Sequence, residues 1–406
     1  MPEKQTMTRG EQMLALRRRR EAASHPFFRG AFRPFFFGGP AWAVVALCLW
    51  LSSLIHGFEL PIAIDALAWH RHEMLFGFVG AVIAGFLLTA IPNWTGRLPI
   101  AGRSLAALFG LWLAARLALL FSAFTSLYAA AFLDVGFFLV LALVAAREVL
   151  AANNRNLPVV GLVLMFGLAD AVDYLCVTGI LPLPDFGWQL ATALVVILIS
   201  LVGGRIIPSF TRNWMAKQKI VQGLPTQPGR FDLIVIGATA LALLAWITGP
   251  EGAVIGAVLI VAAGLQAVRL ARWRGWRTWP DPLVLILHVG YSWIPLGLAL
   301  LGLSVAGAIA RSAAIHAITA GAMATMILAV MSRASLGHTA RALKASPPTV
   351  LAYVLVTAGA ALRVAASLQL IDYNLGLEIA GLAWGGALLL FLIVYAPVLW
   401  RPRLGS

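Results

Sequence analysis

Two imidazoles, a carboxylate and a thioether fall within five positions in Trp69-His70-Arg71-His72-Glu73-Met74, at the opening of an apolar run that reaches Ile91. These are ligand types for a borderline or soft metal ion, or for a haem iron. On a regular helix His70 and His72 stand about 200° apart, so one metal takes both only if the helix unwinds. His70 shares a face with Glu73 and Met74, while His72 shares one with Phe76. A second stretch offers similar chemistry, because His316 shares a face with Ala320 and Met323. One ion can be held by His70 and Met74, or by His316 and Met323, in the manner of copper. Alternatively, a haem iron takes one axial imidazole from His72, turned inward, and its counterpart from His316 or from His288 in Leu287-His288-Val289-Gly290-Tyr291. His56 lies on the same side as His70, His72 and His316. His25 and His338 read as interfacial, hydrogen-bonded or solvated groups. A lone intramembrane histidine is often only an interhelical hydrogen-bonding group, and methionine at helical spacing is usually packing. Convergence of three or more histidines is what argues for a site.

The elements that must position these groups are transmembrane helices. With 61% hydrophobic and 11% charged residues, the chain is a polytopic α-helical membrane protein. Twelve apolar spans are expected: 37–56, 71–91, 103–122, 126–146, 157–180, 187–207, 232–249, 252–271, 282–305, 311–332, 349–370 and 376–398. They follow a basic cytoplasmic arm and interfacial segment over 1–36, with the transmembrane domain filling 37–406. The longest internal loop, 208–230, divides the helices into halves 37–207 and 232–398, a layout found in many transporters.

The formal charge of +14 raises nucleic acid as a partner, but its distribution excludes that reading. Of the 30 Lys and Arg residues, all but Arg71, Arg116, Arg311 and Arg363 fall on the side of the two termini. That bias places both termini in the cytoplasm. His25, Arg29 and Arg33 read as an interfacial anchor leading into the first span. Gly38 to His56 is long enough to remain as an anchor, with no small-residue cleavage site after Arg17 to Arg20. Cys48 and Cys176 both lie in spans and indicate no disulfide framework, and the lack of a Cys-x-x-Cys-His string excludes covalently attached haem.

Charges inside the spans need partners. Arg116 and Asp134 fall near the midplane on consecutive helices and are expected to pair. Asp170 and Asp173 share a helix face, with Arg363 as a partner for them. Structural pairing is the first reading of each; a proton relay for the aspartates, or anchoring of haem propionates by Arg116 and Arg363, is the functional one.

Several strings together carry a resemblance. Phe32-Arg33-Pro34-Phe35-Phe36, Trp69 to Met74 with Gly77-Phe78, and Gly85-Phe86-Leu87-Leu88-Thr89-Ala90-Ile91-Pro92-Asn93-Trp94-Thr95-Gly96 resemble the NnrS family. So do Gly204-Arg205-Ile206-Ile207-Pro208 with Phe210-Thr211, His288 to Tyr291, and His316 to Thr319 followed by Arg333-Ala334-Ser335-Leu336-Gly337-His338-Thr339. The resemblance runs from about Phe27 to the last span. It implies a twelve-span protein of the bacterial inner membrane that holds haem b and copper and is linked to nitric oxide metabolism and nitrosative stress. The family strings contain His70, His72, His288, His316 and His338 and omit His56.

On that resemblance, a haem iron with a displaceable sixth position binds nitric oxide arriving through the lipid bilayer. Reduction to nitrous oxide, an oxidoreductase activity, would also need protons, and Glu73 is the best-placed carrier. Electrons would come from quinol or a separate donor. Binding or protection without turnover would use the same residues. The competing class is a twelve-helix secondary transporter that uses intramembrane His and Asp residues for substrate or proton coupling.

Overall fold

Without water to satisfy backbone groups, a chain this apolar must hydrogen-bond within each segment. The computed structural model describes residues 24–404, and these are helical throughout, with no strand among them. The start of the basic arm, before residue 24, lies outside the described residues. Twelve helices among the described residues are long and apolar enough to cross a membrane: α1 Phe32–His56, α2 Ala66–Thr95, α3 Arg103–Leu120, α4 Leu127–Ala151, α5 Leu157–Val177, α6 Phe186–Lys217, α7 Arg230–Thr248, α8 Ala253–Arg272, α9 Pro282–Val305, α10 Arg311–His338, α11 Pro347–Ser367 and α12 Tyr373–Trp400. The chain is therefore a multi-pass membrane protein.

Two helices form the interior. The apolar windows of α2 and α10 are 78% and 72% buried, against 28% for α12 at the periphery. These two carry the histidine pair and His316, and both depart from α-geometry beside those residues. Glu73–Val79 and Ala317–Met323 wind as π-helical turns. Such insertions change which faces follow and recur at functional sites. Each has a glycine at its fifth position. A Cβ on Gly77 would press on the Glu73 carboxylate and the Arg116 guanidinium, and one on Gly321 would meet the Trp293 ring. Small residues allow this close approach.

The ends of the chain differ from the expected interfacial anchor. Arg33 is buried, and its Nη1 donates to the carbonyls of Leu399 at 2.8 Å and Arg401 at 2.6 Å. The last carbonyls of α12 lack helical partners, and a guanidinium satisfies both the hydrogen bonds and the helix dipole. Phe27 stacks on Trp400 with ring centroids 4.2 Å apart, so both described ends of the chain meet at one face of the bundle. His25 folds back to accept a hydrogen bond from Phe27 N, and Arg29 donates to Ser24 O.

A second difference concerns the loop expected at 208–230. Helix α6 runs through Pro208 to Lys217 and shortens that loop to 218–229. Proline removes one donor from the ladder. Thr211 Oγ1 donates to the carbonyl of Ile207 at 2.9 Å, a side-chain bond back onto its own helix one turn earlier.

Arg33→Leu removes the cap on α12. The expected loss is about 2 kcal/mol, the size of hydrogen bonds to a charged group. A thermal-unfolding midpoint in detergent that stays at the wild-type value would contradict this role.

Candidate functional site

Helix α2 is capped at its start by the Asp65 carboxylate, which accepts from Leu67 N and Ala68 N. Past this cap the helix presents two chemically distinct faces. His72 and Glu73 point toward α3, α4 and α5, whereas His70 and Met74 point toward α1, α10, α11 and α12.

The first face carries a buried charge network. Arg116 Nη1 donates to Glu73 Oε2 at 2.9 Å, and its Nη2 pairs closely with Asp134. Arg116, Glu73 and Asp134 are each fully buried. The indole of Trp42 donates to Glu73 and that of Trp112 to the carbonyl of Gly77. Both nitrogens of His72 meet carboxylates: Nδ1 lies 3.0 Å from Asp173 Oδ2, and Nε2 lies 2.9 Å from Asp134 Oδ2. Asp170 Oδ1 is 3.5 Å from the same Nε2. The Tyr174 hydroxyl donates to Asp134. The pairing of Arg116 with Asp134 is thus as the depth of the two residues implied. Asp170 and Asp173 instead face His72, because α5 packs beside α4 and α2, and Arg363 lies elsewhere. Both ring nitrogens of His72 face carboxylates, and His72 does not line the cavity that His316 reaches.

The second face lines a cavity of about 470 Å³ that opens on the side opposite the chain ends. His70, Met74, His316, Met323 and Arg363 all reach it. The His70 ring stacks on Trp50 with centroids 4.9 Å apart, and its Nδ1 is buried with no hydrogen-bond partner. His316 Nδ1 lies 2.7 Å from the carbonyl of Ser312. A carbonyl only accepts, so Nδ1 carries the proton and Nε2 keeps its lone pair. Arg363 pairs with Ser367, with Ser312 Oγ at 3.3 Å and with the Tyr373 ring, and with no carboxylate among the described residues. At the mouth, Asp185 bridges Arg71 at 3.4 Å and Arg311 at 2.8 Å, and Arg311 also pairs with Glu251.

The remaining expected ligands lie apart. His288 Nε2 is 2.8 Å from Thr211 Oγ1, and the backbone of Gly275 closes over its Nδ1, where even a Cβ would collide. His338 sits at the far end of α10 against the Phe32 ring, with centroids 5.5 Å apart. Neither lines the cavity. Glu73 does not line it either; its carboxylate is on the network side of α2.

Some of this was invisible in the sequence. Trp42, Trp50 and Trp112 carry no signal of their partners in the sequence. A second buried polar cluster was missed because its charges sit near helix ends. Arg269 Nε meets Asp232 Oδ1 at 2.7 Å, Nη1 donates to Ser200 Oγ and to the Tyr291 hydroxyl, and Gln266 bridges Tyr291 to Thr239. In the sequence Arg269 counts only toward the bias of positive charge, and its pairing with Asp232 has no signal. Their mutual satisfaction gives them a structural role tying α6, α7, α8 and α9.

The family model described as NnrS protein matches residues 26–403, nearly the whole chain. No curated protein matches the chain.

Removing one member of a buried ion pair leaves the other uncompensated, at a cost of about 3–5 kcal/mol. Arg116→Met is expected to reduce sharply the monodisperse fraction recovered in detergent. Adding Asp134→Leu to it should restore part of that fraction, and a double variant worse than the single one would sink the pairing argument.

Proposed function

The chain belongs to the NnrS family, and on that premise we propose that it is a haem- and copper-holding protein of the bacterial cytoplasmic membrane that binds nitric oxide. The observation that carries this reading is the convergence of His70, Met74, His316 and Met323 on one largely apolar cavity. The donor set fits the groups. An imidazole nitrogen with a free lone pair on His316, a buried unpartnered nitrogen on His70 and two thioethers suit either a haem iron or copper. A cavity of about 470 Å³ walled by aliphatic and aromatic residues is of the size that cofactor sites take. Arg363, with no carboxylate partner, and Arg71 and Arg311 at the mouth supply cations for the propionates of a haem.

When bound, such a metal centre supplies an open coordination position for a neutral diatomic ligand. The protein residues set the conditions for it. Ser312 fixes the His316 ring so that Nε2 faces inward, as carbonyls do for metal-bound histidines. Trp50 holds the plane of His70 by stacking. Leu47, Leu51, Phe78 and Trp384 keep water out and leave an apolar path from the bilayer.

Glu73 bears on turnover. Nitric oxide reduction consumes protons, and a general acid must reach the reacting atom within hydrogen-bond distance or through one water. Glu73 is held on the opposite face of α2 by Arg116 and Trp42. The geometry therefore favours binding of nitric oxide over reduction driven by Glu73. The charge bias along the sequence puts both termini in the cytoplasm. The cavity then opens to the periplasmic half of the membrane.

Purified protein is expected to show a Soret band that shifts when nitric oxide is added. His70→Ala or His316→Ala should abolish or displace the band, while His288→Ala and His338→Ala leave it in place. A folded but colourless, metal-free preparation would overturn the assignment.

A further inference from the structure

The network on the far side of α2 holds four carboxyl groups against two basic ones. The only basic groups that meet Glu73, Asp134, Asp170 and Asp173 among the described residues are Arg116 and His72, and all six are buried. Two carboxyl groups are left without a basic partner even if His72 is a cation. An uncompensated carboxylate at this depth is costly.

The deficit centres on Asp170. It is fully buried, and neither of its oxygens has a hydrogen-bond partner. Asp134 Oδ1 is in the same condition. Donor atoms of His72, Asp134 and Asp170 lie within 4.8 Å of one another. Two atoms each about 2.1 Å from one first-row ion stand roughly 3.0–3.5 Å apart at ordinary coordination angles. His72 Nε2 is 2.9 Å from Asp134 and 3.5 Å from Asp170. The other ring nitrogen of His72 is held by Asp173 at 3.0 Å, the carboxylate–histidine arrangement that orients a metal-binding imidazole.

We infer that His72, Asp134 and Asp170 bind a divalent first-row cation of borderline hardness, zinc or iron(II) in type, at a site separated from the cavity by the backbone of α2. One imidazole with two carboxylates suits such an ion better than copper(I), which favours the thioethers across the helix. The ion offsets two negative charges and ties α2 to α4 and α5. It thereby fixes the rotation of α2 that turns His70 and Met74 toward the cavity. Asp173 acts as a positioning residue through His72. The inference does not depend on which group occupies the cavity.

The test is metal content per chain by mass spectrometry, on full-length protein in detergent after passage through metal-free buffer and one addition of Zn²⁺. Wild type is expected to retain about one zinc or iron equivalent beyond any iron accounted for by haem absorbance. Asp170→Asn, nearly isosteric, should lose that equivalent, Asp173→Asn should weaken Zn²⁺ retention about 10–100-fold, and His70→Ala should keep it. Wild type that binds no Zn²⁺ at one-to-one stoichiometry in competition with a chelating dye overturns the site, and this holds even if Asp170→Asn does not fold. An Asp170→Asn variant that retains the ion overturns it as well, and so does its loss from His70→Ala with retention in Asp170→Asn.

Discussion

The structure depends on the requirement that charge buried in a membrane be met by charge. Arg116 lies between Glu73 and Asp134, all three fully buried. That contact pins α2 against α3 and α4, and His72 extends it to α5 through Asp173. Between transmembrane helices, apolar surface supplies little driving force, since lipid is as apolar as leucine. Polar contacts and close packing then decide which rotation of a helix prevails. For α2 that rotation is the functional variable, because it determines what faces the cavity.

The π-helical turns express the same constraint. Regular periodicity already sets His72 opposite His70 and Met74, but it leaves Glu73 on the His70 face rather than on the side where Arg116 holds its carboxylate. Widening the turn over Glu73–Val79 resolves this, with Gly77 leaving room for the carboxylate and guanidinium. Helix α10 repeats the solution after His316, with Gly321 beneath Trp293. The two most buried helices thus each carry a histidine at the start of a widened turn and each line one cavity.

Much of the fold was legible because hydropathy and the distribution of arginine report directly on membrane solvation. Pro208 and Arg33 carry local signals for a helix end and an interface, and for Arg33 a partner 366 positions away overrides the signal. Helix α6 continues through Pro208 to Lys217, and the last turn of α12 absorbs the arginine. Within the site, residue spacing separated the faces of His70 and His72, since that needs only helical geometry. Spacing could not say which helices those faces meet. Asp170 and Asp173 were therefore assigned to Arg363 when their neighbour is His72, a hundred positions earlier in the chain. Nor could spacing show that His288 lies beneath Gly275 and His338 at the far end of α10, both away from the cavity. The π turns had no signal beyond two glycines that any transmembrane helix might contain.

Helix α2 is a partition between the cavity and the charge network. Anomalous scattering from crystals of the purified protein, collected at the iron, copper and zinc edges, tests this most directly. An iron or copper peak beside His70 and His316 is predicted, on the opposite side of α2 from His72. A peak on His288 or His338, with none between α2 and α10, would contradict it.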